Sequence, residues 1–263
     1  MKKYFFIFKS ELMSHFQYIS DVLIGFIGYI IHVFIFLNLW KYLYSDPDSL
    51  INGYSMYQMI WYVIITEIIW SICNSRAYLK KIVNDVKTGN ITYNINKPYS
   101  YVGYVLSDQL GSSVIKGVIY TILGILLGFI FVGSFPSLNL LQILLILIIA
   151  IFAVIIGFLI ATTIGLLSFF IEDSTPFYWI YSKLILIVGV VFPIEYLPKA
   201  IQPFLTYSPV YVVSYAPAKL FVDFKYSVFF MALFIQIIYL IVIGLLCKYI
   251  YKKGEKKLNV NGG

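Results

Sequence analysis

Six apolar stretches dominate the sequence. A helix that crosses a hydrocarbon layer of about 30 Å needs about 20 apolar residues. The six stretches are Val22–Trp40, Met56–Cys73, Leu110–Val132, Leu138–Ile171, Phe177–Phe192 and Tyr226–Cys247. This pattern predicts an all-α integral membrane protein, a single transmembrane domain over residues 1–263 with six transmembrane helices. The fourth stretch is long enough to tilt or to continue past the membrane surface.

The amino-terminal segment shows an amphipathic pattern instead of a continuous apolar one. Phe5, Phe8, Leu12, Phe16 and Ile19 repeat at helical spacing, while lysines and other polar residues fill the positions between them. The pattern predicts an interfacial helix over residues 1–21, which lies along the inner leaflet and does not cross the membrane.

The loop 74–109, between the second and third stretches, also has a helical pattern. Its apolar repeat has the i, i+3, i+4, i+7 spacing of one helix face. The repeat consists of Leu79, Ile82, Val83 and Val86. Gly89 offers a helix stop, and Asn90–Lys97 is predicted to be extended. A lipid-bound helix would explain the apolar first half, whereas the polar second half indicates a protein partner.

The segment 193–225, between the fifth and sixth stretches, holds five of the nine prolines of the chain, at positions 193, 198, 203, 209 and 217. An interior proline breaks a helix at a cost of about 3 kcal/mol, which argues against a seventh span. We expect short helices that re-enter the outer leaflet under a cover of protein, because irregular backbone at membrane depth must be buried. A long outer loop is the alternative.

Composition and charge support the membrane interpretation. Of the 263 residues, 61% are hydrophobic and only 12% charged, which excludes an ordinary soluble domain and a disordered chain. The formal charge of +7 comes from lysines that flank apolar stretches and form no single patch, so we expect no nucleic-acid partner. Most of these cations precede the first stretch, separate the second from the third, or follow the last. By the positive-inside rule, both termini are predicted to be cytosolic.

Catalytic signatures are missing from the sequence. It contains no G-x-x-x-x-G-K-[ST] phosphate loop, no H-E-x-x-H and no G-x-S-x-G. Its two histidines have no ligand spacing, and two cysteines form no metal site alone. The sequence therefore predicts no catalytic residue and no metal site on this chain.

Three charged residues lie inside the predicted spans. Glu67, Lys116 and Lys183 are expected at similar depth in the second, third and fifth spans. Intramembrane charge often marks a functional site, here a polar patch along a substrate path. The alternative is a structural ion pair together with a lysine that extends to the interface.

Two segments resemble the permease subunit of ABC-2-type transporters. Val86–Ser100 is similar to the family's run of Gly, a small polar residue, Ile and then Leu-x-x-Pro-x-Ser, with Ile95-Asn96-Lys97 replacing the common Leu and Arg. Phe192–Gln202 followed by Ser208-Pro209-Val210 is similar to its Pro, Leu-Pro and Pro-containing turn before the last span. The overall plan resembles the branch described as ABC-2 family transporter protein, which implies the type V exporter fold.

The resemblance implies an ABC exporter in the cytoplasmic membrane of a prokaryote. Two permease chains, identical or homologous, would assemble with two copies of an ABC ATPase subunit. The chain would not be an enzyme and would hold no cofactor, because ATP and Mg²⁺ would bind to the ATPase. The implied ATPase-coupling residues are Val83, Asn84, Asp85, Lys87, Gly89, Ile91, Lys97 and Pro98 in the inner loop, with Phe8, Leu12 and Phe16 in the first helix.

The proline-rich segment would form an outer gate of the transport path. The residues implied for this gate are Pro193, Glu195, Leu197, Pro198 and Pro209. Two other classes remain open from the sequence. One is a gradient-driven carrier, a class that often shows internal repeats, and the other is a non-transporting membrane anchor or assembly factor.

Overall fold

The computed structural model describes residues 2–17, 19–44, 46, 49–95 and 97–261. Helix makes up 83% of the structure, and these residues form no strand, which confirms the all-α prediction. The helices are α1 (Lys2–Gln17), α2 (Ile19–Leu43), α3 (Met56–Cys73), α4 (Arg76–Lys87), α5 (Ile91–Ile95), α6 (Tyr101–Val132), α7 (Leu140–Leu166), α8 (Thr175–Ile185), α9 (Gln202–Thr206), α10 (Ala216–Val222) and α11 (Tyr226–Asn261).

Five helical segments in the described ranges are long and apolar enough to cross a membrane. They are Ile19–Leu43, Met56–Lys87, Tyr101–Val132, Leu140–Phe169 and Tyr226–Lys257. These segments contain the first, second, third and sixth predicted stretches, and they cover the fourth except for two residues at each end. The fifth stretch, except Phe192, falls in a shorter apolar helix, Thr175–Val191, so a sixth crossing stays a prediction.

Several helices extend beyond the apolar stretches that predicted them. The helix that contains the third apolar stretch, α6, begins at Tyr101 instead of Leu110, and α11 continues past Cys247. Hydropathy marks only the part of a helix that suits lipid, whereas polar helix can continue where other parts of the chain cover it. The start of α7 is set by a capping box, in which Asn139 and Gln142 each accept the other's backbone N–H at 2.9 Å.

The segment after α8 unwinds and folds back into the bundle. A π-helix, Leu186–Val191, ends before Pro193, and short turns and α9 lead to a second π-helix, Tyr211–Tyr215, that continues into α10. Residues 210–218 are all buried, and α10 packs against α3 and α7. These residues thus lie inside the protein, while several residues between Pro198 and Phe204 are exposed. The choice between a re-entrant segment and an outer loop stays a prediction. The depth of this segment in a bilayer stays a prediction.

Buried side-chain donors meet the carbonyls of the two π-helices. The hydroxyl of Tyr62 on α3 donates to Gly189 O at 2.6 Å. The amide of Gln236 on α11 donates to Val212 O at 2.8 Å and to Ile149 O at 3.0 Å. Both side chains have no exposed surface. An unpaired carbonyl in this core would cost free energy, so these two residues stabilise the irregular backbone.

Close packing of α3 on α6 depends on glycines of α6, and Gly128 among them yields a first prediction. A methyl group at position 128 would overlap the Trp61 ring, whereas one at Gly117 on the same helix would meet only Ile72, at an ordinary 3.4 Å. We expect Gly128→Ala to lower the free energy of unfolding by about 1–3 kcal/mol through overpacking. Gly117→Ala is the matched control. Thermal unfolding in detergent checks this, and equal melting temperatures for the two variants would contradict it.

Candidate functional site

The inner loop folds as two successive helices, α4 and α5, and this segment, with Lys97 and Pro98 after it, is called the hairpin below. Helix α4 ends at Lys87. The Thr88 N–H donates to Asn84 O at 2.9 Å, and Gly89 adopts a left-handed φ of +73°. Glycine reaches this region without strain, which confirms the predicted stop. The extended segment predicted after it is wrong, because Ile91–Ile95 is helical.

The start of α5 explains why the extended prediction failed. The backbone N–H and the hydroxyl of Thr92 both donate to Gly89 O, at 3.0 and 2.7 Å. The Tyr93 N–H donates to Asn90 O at 3.2 Å. These local bonds close a helical turn directly after the glycine. A polar Thr can supply such bonds, but its presence alone does not indicate them.

The apolar face of the hairpin packs on the protein's own helices. Val83 lies in a cluster with Ala161 of α7 and Tyr178 of α8, and Ile91 packs with α6, α7 and α11 residues. Their exposed fractions are 5% and 0%. The expectation that these two side chains dock in a groove of an ATPase is therefore corrected: they are core residues that hold the hairpin to the bundle.

The opposite face of the hairpin is open. Asn84, Lys87, Lys97 and Pro98 are exposed, while Asp85 and Gly89 are half-buried. Lys87 lies 3.5 Å from Asp173 in the connection between α7 and α8. A hydrogen bond from Thr175, followed by the effect of Lys87, lowers the pKa of Asp173. Asp85 accepts a hydrogen bond of 2.8 Å from Tyr101, which ties the hairpin to α6.

One prominent residue of the open face was missed in the sequence. Tyr93 on α5 is 73% exposed, far more than a tyrosine in a folded core. The available signal was an aromatic residue within the polar run from Gly89 to Lys97. Exposed tyrosines are frequent anchors of protein interfaces.

The amphipathic helix α1 lies along α6 and contacts the end of the hairpin. Lys3 donates to Pro98 O at 2.7 Å, and the Tyr4 hydroxyl accepts the Ser100 N–H at 2.9 Å. Of the predicted coupling residues, Phe8 and Leu12 are half-buried and Phe16 is 57% exposed. The helix and the hairpin thus form one continuous surface.

The predicted outer gate contains a hydrogen-bonded cluster around Glu195. A 3₁₀ turn, Ile194–Tyr196, aims this carboxylate at two buried tyrosines. Its Oε1 accepts hydrogen bonds from Tyr54 at 2.9 Å and from Tyr215, and it lies 3.5 Å from the Lys219 ammonium. The cluster joins the α2–α3 loop, the proline-rich segment and α10.

A second charged pair lies beside this cluster. Asp223 is 3.2 Å from Lys219 and 3.1 Å from Lys225. Burial alone would raise the pKa of Asp223, but the hydrogen bonds and charges of the two lysines outweigh it and lower the pKa. Lys219 therefore connects two carboxylates, and its ammonium also lies 4.4 Å from the Tyr54 ring centre.

The other residues of the predicted gate, three prolines and Leu197, differ in burial and in their contacts. Pro193 is buried and begins the 3₁₀ turn, Leu197 and Pro209 are half-buried, and Pro198 is exposed. Leu197 O accepts the Gln202 amide at 2.8 Å. The structure brings these residues into one segment, but only Glu195 contacts the tyrosine cluster through its side chain.

The three intramembrane charges do not form one cluster. Glu67 is fully buried, and its ionic contact is with His32 of α2 at 3.5 Å. Lys183 is exposed on α8 and acts electrostatically on the same histidine. Lys116 instead lines a cavity between α1, α2, α4 and α6, because helix rotation, which depth does not specify, turns it away from the Glu67–His32 contact.

The chain is thus an all-helical, multi-pass membrane protein. It belongs to the family described as ABC-2 family transporter protein, whose model matches residues 18–262. The resemblance predicted from the two motifs is confirmed. Proteins of this family are membrane components of transporters, are not themselves catalytic, and work with ABC ATPases. A comparison with curated proteins finds no match.

The Glu195 cluster gives a second prediction. Removing the carboxylate leaves the hydroxyls of Tyr54 and Tyr215, both buried, without their acceptor. Hydrogen bonds to charged groups contribute about 1.5–3 kcal/mol each, so Glu195→Ala is expected to lower the free energy of unfolding by about 2–4 kcal/mol. Glu172→Ala, at an exposed position, is the control. Unfolding in detergent measures both, and equal stabilities would refute the role of the cluster.

Proposed function

We propose that this chain is the membrane-spanning permease subunit of an ABC exporter, with six spans and both termini in the cytosol. Two such chains, identical or homologous, would work with two ATPase subunits that bind ATP and Mg²⁺. The family match over residues 18–262 carries the proposal. The placement of lysines beside α1, the hairpin and the end of α11 supports the orientation.

The surface formed by the hairpin and α1 suits an ATPase contact. Tyr93 supplies an exposed aromatic anchor, and Asn84, Lys87 and Lys97 are exposed polar or positive residues of the same loop. An interface with an aromatic centre and a polar rim is the usual arrangement of protein contacts. The buried Val83 and Ile91 would transmit force into the bundle and would not touch the ATPase themselves.

A continuous set of contacts leads from the hairpin towards the Glu195 cluster. Tyr178 on α8 packs against Leu79 and Val83 of α4, and its hydroxyl accepts the Ser75 N–H at 2.9 Å. Helix α8 runs into the π-helix Leu186–Val191, and the chain then reaches the turn that carries Glu195. In the proposed exporter, movement of α4 would displace α8, and the π-helix would take up the bend.

The ATPase contact can be tested at Tyr93. We expect Tyr93→Ala to reduce the ATPase that co-purifies with the tagged chain from its own membranes by about tenfold, because truncation of an interface anchor costs about 1–2 kcal/mol or more. Tyr42→Ala is the matched control, since Tyr42 is 87% exposed on α2. The measurement is Mg-ATP hydrolysis per mole of eluted chain.

Two results would contradict the proposal. Equal ATPase yield from Tyr93→Ala and Tyr42→Ala would show that the ATPase does not depend on Tyr93 for its contact with the hairpin. Transport that survives ATP depletion but stops with an ionophore would instead establish a gradient-driven carrier.

The orientation has a separate test by cysteine labelling. Asn90 and Leu50 are both exposed, in the hairpin and in the α2–α3 loop. We expect a membrane-impermeant maleimide to label Leu50→Cys in intact cells and to label Asn90→Cys only after permeabilisation. The native Cys73 and Cys247 are half-buried and buried, so the unmodified chain gives the background. Labelling of Asn90→Cys in intact cells would place the hairpin outside and overturn the proposed coupling.

A further inference from the structure

A cavity of about 580 Å³ lies between the amino-terminal helices and the bundle. Its volume falls in the range of ligand pockets, roughly 300–1,000 Å³. The floor is formed by buried residues, among them Ser75, Tyr120 and Phe158. Exposed residues at Asp21, Asn74 and Ala77 form its rim, so the cavity has an opening.

Lys116 lines this cavity, and the hydrogen-bond donors of its ammonium group are unmet. Among the residues that the structure describes, its ammonium has no ion pair and no hydrogen bond, and its contact is with the Tyr120 ring, 5.7 Å from the ring centre. An ammonium has three N–H donors. A lysine in an apolar helix is costly without an acceptor, so the site favours a ligand that brings one.

The neighbouring hydroxyls are already engaged as donors. Ser112 donates to Gln109 O and Ser113 donates to Leu110 O, each at 2.9 Å. Ser75 donates to Cys73 O at 3.0 Å. The imidazole of His15, which also lines the cavity, lies 3.3 Å from Glu11. Lys116 therefore carries the unpaired cationic donors of the lining, and they suit a group that only accepts hydrogen bonds.

The cavity lining offers apolar surface for the hydrocarbon of an amphiphile and a charged group for its headgroup. Val22, Gly25, Ile72 and Phe158 offer apolar surface beside Lys116. Asp21 at the rim has no ion pair within the described part of the chain, and it repels a second negative charge at the mouth. A phosphodiester near Lys116, with its hydrocarbon against the apolar lining, fits both conditions.

We propose that this cavity binds a phosphate group next to Lys116, and that the phosphate belongs to the headgroup of an inner-leaflet phospholipid. The leaflet follows from the orientation under Proposed function, since the cavity lies at the end of the bundle that holds α1 and the hairpin. The chain would then carry a lipid site within one protomer.

The test compares lipid retention by native mass spectrometry of the detergent-purified chain. With added phosphatidylglycerol, we expect the unmodified chain to retain one lipid and Lys116→Gln to show at least fivefold weaker apparent affinity. Lys183→Gln is the matched control, because Lys183 is exposed on another apolar helix and does not line the cavity. Equal weakening in both variants, or in neither, would overturn the site.

Two further arms separate the source of the phosphate and guard against misfolding. Inorganic phosphate that displaces the lipid at equal concentration would show a free-anion site and refute the lipid assignment. Ala77→Phe fills the rim from an exposed position without altering Lys116, and we expect it to reduce retention as well. Unchanged retention in Ala77→Phe would place the lipid elsewhere. Lys116→Gln changes neither Tyr93 nor the hairpin. Loss of lipid with unchanged ATPase yield in that variant therefore separates this site from the proposed function.

Discussion

Backbone hydrogen bonding in an apolar core is the constraint on which this architecture depends. Where the chain forms π-helices at 186–191 and 211–215, the carbonyl groups depart from the regular α-helical pattern, and the buried ones need donors from the protein. Tyr62 and Gln236 reach across from α3 and α11 to two of these carbonyls. The long helices thus do more than surround the broken segment, because they supply the donors that allow it to exist. The role of Tyr62 and Gln236 as donors explains why polar residues occur within these apolar helices.

The same segment also links the two ends of the molecule. Its amino-terminal side is the continuation of α8, which packs on the hairpin through Tyr178. Its middle carries Glu195, whose partners Tyr54 and Tyr215 come from the α2–α3 loop and from the second π-helix. A rigid α-helix in place of the π-helix would resist bending between these points. An irregular segment whose carbonyls receive donors from Tyr62 and Gln236 can change shape at lower cost, which suits the role proposed for it.

Periodicity predicted the apolar stretches, the amphipathic helices and the stop at Gly89, because each of these depends on local spacing or on one residue's backbone freedom. It did not predict what covers an apolar face. Val83 and Ile91 have the same pattern whether lipid, a partner or the chain's own α7 lies against them, and only the fold shows that the cover is internal. Depth along a helix likewise left rotation undetermined, so the pairing of Glu67 with His32 could not be derived from the sequence.

The Glu67–His32 pair bears on how two permease chains would meet. Glu67 is fully buried, but His32 is 51% exposed on α2, among isoleucines and phenylalanines that suit lipid. Hydrocarbon solvates those apolar side chains well and an imidazole beside a carboxylate poorly. A second chain against α2 would cover His32 with protein groups able to hydrogen-bond it. In the proposed dimer, this face of α2 is therefore better placed at the seam between the chains than towards the bilayer.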